Sequence, residues 1–233
     1  MHKSFLIRLF LCENNKNDVI CMNKRNYQKE LEQLIANSEK NGQVPTLLLH
    51  SCCAPCSSYV LEYLSEYFRI TVLFYNPNIS SEEEYILRLQ EQKRLIESLP
   101  AKYPISLIEG EYEPREFYDI SKGLEKSPER GERCRKCYRL RLEYTAKIAK
   151  NTGADYFATT LTLSPLKDAK ALNDIGEELS KVYDTAYLSS DFKKKGGYLR
   201  SIELSREYNL YRQNFCGCIY SKMEAERRNS ETD

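Results

Sequence analysis

No segment of the 233-residue chain approaches the ~20 continuous apolar residues that a membrane-crossing helix needs, and the short run from Phe5 to Cys12 is interrupted by Arg8. A small-residue cleavage site of secretory type is also missing. The expectation is a soluble, cytoplasmic protein with no membrane partner. Net charge is equally scarce: 35 Lys and Arg against 34 Asp and Glu leave +1, so the totals alone point to no polyanion. There is no internal repeat. A chain of this length buries most of its apolar surface without disulfides, so stability does not explain its cysteines. In a reducing compartment they are expected to be metal ligands or redox thiols.

Nine cysteines are present, and seven fall into three tight clusters: Cys52, Cys53 and Cys56; Cys134 and Cys137; Cys216 and Cys218. Cys12 and Cys21 are isolated near the N-terminus. Free cysteines used as small core hydrophobes would be scattered singly. Cys134 and Cys137 have the C-x-x-C spacing that places two sulfurs on one side of a starting helix. There the helix N-terminus and Arg133, Arg135 and Lys136 favour thiolates. Zinc, an iron–sulfur cluster and thioredoxin-like redox chemistry all use this motif. Adjacent Cys52 and Cys53 are expected to diverge, as neighbours on an extended chain do. Four sulfurs would satisfy a structural zinc. A [4Fe–4S] cluster, with the remaining sulfurs serving a second metal or a redox step, uses the whole inventory.

Val44 to His50, Ile70 to Tyr75, Ile105 to Ile108, Tyr156 to Thr160 and Val182 to Tyr187 read as strands. Between them lie helical patterns. Ser57 to Phe68 places Val60, Leu61, Leu64 and Phe68 together. A Ser81…Glu84 capping box opens a helix that Pro100 closes, with Ile86, Leu89, Ile96 and Leu99 on one face. Further helices are expected from Cys134 to Asn151, stopped by Gly153, from Lys167 to Lys181 and from Tyr198 to Tyr208. This alternation implies an α/β fold with a parallel sheet and right-handed crossovers. One domain is expected over residues 23–225, with an extension at 1–22 and a charged tail at 226–233.

In such sheets ligands bind beyond the carboxyl ends of the strands, and HSCCAPC, residues 50–56, occupies the first strand–helix turn. That turn has no glycine, so it is not a phosphate cradle. From Ser121 to Lys150 ten Lys and Arg face four Glu. This local excess is either a nucleic-acid surface carried by Arg133, Arg135, Lys136, Arg139 and Arg141 or a solvated helix face. Thr159 and Thr160 could bond a substrate base or satisfy a turn. Lys193 to Lys195 could meet phosphate. Tyr211, Arg212 and Gln213 precede the last cysteine pair, where stacking or backbone contact competes with core packing. Tyr75, Asp191 and Tyr211 are candidate proton donors.

HSCCAPC, YNPNI at 75–79 followed by Glu84, Tyr85 and Arg88, GERCRKCYRLRL at 131–142, TTLTLSP at 159–165 and YRQNFCGCIYSK at 211–222 together resemble the QueH family of epoxyqueuosine reductases. The resemblance covers roughly residues 44–222 in order. It implies a Rossmann-like fold related to the adenine-nucleotide α-hydrolase group, with a cysteine-bound metal site at the C-terminal edge of the strands. It also implies a [4Fe–4S] cluster, an adjacent iron and no cobalamin. The implied reaction reduces epoxyqueuosine to queuosine at the tRNA wobble position, the last step of queuosine synthesis. The partners are tRNA and an unidentified low-potential electron donor. Metal roles pass to Cys52, Cys53, Cys56, Cys134, Cys137, Cys216 and Cys218, and catalytic roles to Cys52, Cys53, Cys218 and Asp191. Substrate contacts are expected from Arg135, Lys136, Arg139, Thr159, Thr160, Tyr211 and Arg212. The spacing leaves open how the sulfurs divide between cluster and iron. A thiol–disulfide oxidoreductase and a zinc-stabilised tRNA-binding protein are the rival readings.

Overall fold

The computed structural model describes residues 25–230. Five parallel strands form one sheet in the order β3-β2-β1-β4-β5. They are β1 (Thr46–His50), β2 (Arg69–Phe74), β3 (Ser106–Glu109), β4 (Tyr156–Thr159) and β5 (Ala186–Tyr187). The connecting helices are α1 (Tyr27–Lys40), α2 (Ala54–Leu64), α3 (Glu82–Ser98), α4 (Pro114–Ser121), α5 (Glu132–Thr152), α6 (Ala169–Tyr183), α7 (Gly197–Glu207) and α8 (Ile219–Ser230).

Alternation along β1 divides the core into two layers, because successive side chains leave opposite faces of a strand. Leu47 and Leu49 enter a cluster with Leu31, Val60, Leu61, Leu64, Val72 and Leu95. Leu48 enters another with Leu73, Leu142, Ala146, Phe157, Leu172 and Leu179. Helices α1, α2, α3 and α7 therefore cover one face, and α5 and α6 the other. The continuous apolar strands follow from burial on both sides. No helix among the described residues is long and apolar enough to cross a membrane.

Element boundaries differ from expectation in informative ways. The last strand is two residues long, because Val182 and Tyr183 close α6. Asp184, with φ 50°, ends that helix in the left-handed region, and Val182 faces solvent. Helix α2 starts at Ala54, earlier than expected, with Cys53 at its N-cap. The Ser81 hydroxyl accepts from the Glu84 amide at 3.3 Å, but the Glu84 carboxylate bonds Arg88 and Tyr211, so the capping box is half made. Ile86 is exposed rather than on the apolar face of α3. Gly153 ends α5 with φ 70°, as its position suggested. Residues 226–230 of the expected charged tail continue α8. The expected extension at 1–22, with Cys12 and Cys21, lies outside the described residues.

Helix α7 packs closely on α2 because it starts with glycine. A Cβ at Gly197 would stand 2.0 Å from the Phe192 carbonyl oxygen and 2.4 Å from the Tyr59 ring. The carbonyl is backbone and cannot rotate away. Gly197→Ala is expected to destabilise the fold by about 1–3 kcal/mol through overpacking. Thermal or urea unfolding measures it, and an unchanged midpoint contradicts the packing described.

Candidate metal centre

Where β1 ends, the chain bends at Cys52, extends through Cys53 and enters α2 with Pro55 in its first turn. This bend brings together side chains that an extended strand would separate. Cys52 Sγ lies 3.8 Å from Cys53 Sγ, and the sulfurs of Cys52, Cys53 and Cys56 are all within 4.8 Å of one another. The expectation that Cys52 and Cys53 diverge is thus corrected, since the pleat has ended before Cys53. Bonds from Cys52 and Cys56 hold the Cys53 thiol well below its ordinary pKa. Sharing with Cys53 pushes Cys52 up to about 12. Three thiols so close to one another could hold a single metal ion.

A second group lies across the same sheet edge. Cys134 and Cys137 occupy the first turns of α5, and Cys216 and Cys218 the turn before α8. All four line one cavity with Asn78, Arg133, Tyr138, Arg141 and Lys167. Unlike the first trio, no three of them bring their sulfurs within 4.8 Å of one another. The last turn is fixed from α3: Arg88 Nη1 donates to the Cys216 carbonyl at 3.2 Å, and the Ser80 amide donates to the Gly217 carbonyl at 3.0 Å. Gly217 has φ 116°, and a Cβ there would meet Ile79 at 3.0 Å. Only glycine fits this turn without strain.

Without metal the α5 thiols are not the activated thiolates that their helix position suggests. Burial raises Cys134 and pushes Cys137 up to about 12. Desolvation outweighs the helix N-terminus and the neighbouring cations. Cys216 differs: burial works to raise it, but Lys167, Arg141 and Arg88 outweigh burial and hold it below its ordinary value.

Of the four-thiol group, Cys216 joins Cys52, Cys53 and Cys56 at a cleft of about 140 Å³ that Lys167 and Arg212 also line. Lys167 lines the four-thiol cavity too and pairs with Glu129 at 3.0 Å while almost fully buried. Arg88 and Glu129 also line the cleft. Sequence reasoning gave Lys167, Arg88 and Glu129 no role, although Arg88 belongs to the motif that follows YNPNI.

Other expected site residues are placed differently. Thr159 and Thr160 are fully buried and absent from the cleft lining, so neither is open to a base. Thr159 Oγ1 bonds His50 Nδ1 at 2.9 Å, and Thr160 Oγ1 accepts from the Cys52 amide at 3.4 Å. His50 Nε2 meets the Tyr75 carbonyl at 3.1 Å, which only accepts, so Nε2 carries the proton. Burial lowers the His50 pKa to about 3, and the ring is neutral. Tyr75 donates to Glu116 and stacks on Tyr144, while Tyr211 donates to Glu84. Asp191 pairs with Lys193 at 2.8 Å and lines a separate surface cleft, outside the cysteine groups. Lys195 pairs with Glu32. On α5, Arg135, Lys136 and Arg139 are exposed, but Arg133 and Arg141 are buried and leave the basic surface expected of them.

A family model described as "Epoxyqueuosine reductase QueH" matches residues 47–224. The chain is 45% identical over 205 residues to the epoxyqueuosine reductase QueH of Staphylococcus epidermidis, covering 86% of each chain. It is 44% identical over 200 residues to that of Streptococcus pyogenes serotype M1, covering 85% of this chain and 78% of the relative. With the protein of the same name from Thermotoga maritima it shares 32% identity over 192 residues, 80% of this chain and 95% of that one. The matched range spans all seven cysteines of the two groups. The chain belongs to the QueH family of epoxyqueuosine reductases.

Proposed function

We propose that this chain reduces the epoxide of epoxyqueuosine in tRNA to the alkene of queuosine, without cobalamin. The observation that carries the reading is the placing of seven thiols in two adjoining spaces, Cys52, Cys53 and Cys56 in a cleft and Cys134, Cys137 and Cys218 in a cavity, joined by Cys216 and Lys167, which line both. A thiol–disulfide oxidoreductase needs two of these thiols, and a structural zinc needs four. The four-thiol group, Cys134, Cys137, Cys216 and Cys218, fits a [4Fe–4S] cluster, and Cys52, Cys53 and Cys56 fit a second metal, iron in this reading. Such groups supply single low-potential electrons and a Lewis acid for oxygen.

The reaction consumes two electrons and two protons and releases the epoxide oxygen as water. Lys167, held by Glu129 at the cleft wall, is positioned to donate a hydrogen bond to the negative charge that grows on the departing oxygen. Leu161, Leu163 and Phe215 give the cleft apolar walls that limit water entry. Arg212 reaches its mouth, bonded to Ser205 at 3.3 Å and lying against Tyr198, and serves the tRNA backbone or the base. The exposed Arg135, Lys136 and Arg139 extend this positive surface along α5. The electron donor is a low-potential protein or reductant, and the setting is the cytoplasm.

Anaerobic enzyme with a low-potential reductant is expected to convert epoxyqueuosine in tRNA to queuosine. Mass spectrometry of digested nucleosides detects the loss of one oxygen. Metallated, reduced enzyme that binds this tRNA and never yields queuosine refutes the function. Cys134→Ser and Cys137→Ser are expected to lose cluster iron, acid-labile sulfide and activity together, because a hydroxyl replaces a thiolate poorly. Cys56→Ser is expected to abolish turnover while leaving the cluster spectrum in place. Iron and sulfide analysis with visible spectra separates the two outcomes.

Arg135→Gln with Lys136→Gln is expected to weaken tRNA binding and to reduce the salt slope by roughly 0.7–0.9 for each phosphate that is no longer neutralised. Binding isotherms at several salt concentrations measure it. Unchanged affinity and slope make this face a solvated one.

A further inference from the structure

Arg141 lies one helical turn beyond Cys137 on α5 and is 0% exposed. The other buried cations around the thiols each have a carboxylate: Arg88 has Glu84 at 2.7 Å, Lys167 has Glu129 at 3.0 Å and Arg133 has Glu224 at 3.9 Å. Arg141 pairs with no carboxylate among the described residues. Its Nε donates to the Cys137 carbonyl at 3.4 Å and its Nη1 to Asn76 Oδ1 at 3.5 Å, both long and both to neutral acceptors. Its Nη2 has no partner and belongs to a side chain lining the four-thiol cavity. Asn76 itself donates to the Ser51 carbonyl at 2.9 Å.

A buried, always-charged guanidinium with an unsatisfied N–H is among the most costly arrangements a protein interior holds. Its cost is offset when an anion faces it. Four thiolates around an iron–sulfur core carry a net negative charge, and Cys137, Cys216 and Cys52 are the ionisable groups that act most strongly on Arg141.

We propose that Arg141 is the internal counter-charge of the metal–thiolate group on Cys134, Cys137, Cys216 and Cys218, bonding it through Nη2. This rests on the metal reading of the four-thiol group. The positive charge stabilises the reduced, more negative form over the oxidised one, so Arg141 raises the reduction potential as well as metal retention. In the metal-free chain the same charge is a liability. A residue with these two opposite effects is distinguishable from one that merely packs.

The test compares wild type with Arg141→Met, which keeps an unbranched apolar side chain, and Arg141→Lys, which keeps the charge. Each is prepared metal-free and anaerobically reconstituted with iron and sulfide. Metal-free Arg141→Met is expected to melt at or above the wild-type temperature. Its reconstituted form is expected to bind iron about 10-fold or more weakly, as for other partners of metal ligands. Its remaining cluster is expected to have a more negative midpoint, by redox titration, than wild type or Arg141→Lys. Equal iron retention and an unchanged midpoint in Arg141→Met overturn the proposal. So does an Arg141→Met chain that fails to fold or melts lower without metal, because Arg141 is then a structural residue. A wild-type chain that takes up neither iron nor sulfide overturns the metal reading itself, and the counter-charge with it.

Discussion

The Cys216 carbonyl rests on Arg88, a guanidinium 2% exposed and bonded in turn to Glu84 at 2.7 Å, and the four-thiol cavity depends on this bridge. Two of the four sulfurs flank Gly217, outside any strand or helix. Their position is set by Arg88, by the Ser80 amide and by the contact of Gly217 with Ile79. Breaking a buried ion pair typically costs about 3–5 kcal/mol, since the remaining charge is left without a partner. The bridge therefore ties the coordinates of a loop to those of α3, and through α3 to the sheet.

The sheet supplies the other half of the geometry. All five strands are parallel, so the turns that follow β1 and β4 open at the same edge. Helix α2 starts there with the trio of cysteines, and α5 places its own pair across the same edge. His50, bonded to Thr159 and to the Tyr75 carbonyl, links the ends of β1, β4 and β2 immediately below the thiols. A neutral imidazole spans these strands without adding charge beneath a site already crowded with cations.

Much of this was legible in the chain. The apolar runs of the strands, the helices with clear caps and the three cysteine clusters were readable because each rests on local periodicity or on a distinctive residue. Helix α1 was not, since Leu31 and Ile35 are sparse anchors in a stretch dominated by charged and polar residues. Val182 and Tyr183 suggested a strand because β-branched and aromatic residues favour one, yet the left-handed Asp184 lies after them. The basic run of α5 misled most. Arg133, Cys137, Arg141, Thr145 and Ala149 recur every fourth residue and are all buried, while Arg135, Lys136 and Arg139 turn outward. The spacing of Arg133 and Arg141 from Cys137 carried that signal, but charge usually means surface, and this expectation prevailed. The joining of Cys134 and Cys137 with Cys216 and Cys218 depends on contacts between distant segments and has no local trace.

The four-thiol cavity joins parts of the chain some eighty residues apart, the start of α5 and the turn before α8. A group bound to all four sulfurs would act as a cross-link closing that long loop, comparable in topology to a disulfide. The entropy removed from the unfolded chain grows with the logarithm of loop length, so a closure of this span is an effective one. Insertion of such a group and the docking of the C-terminal segment would then be coupled, and the group would serve the architecture as a staple.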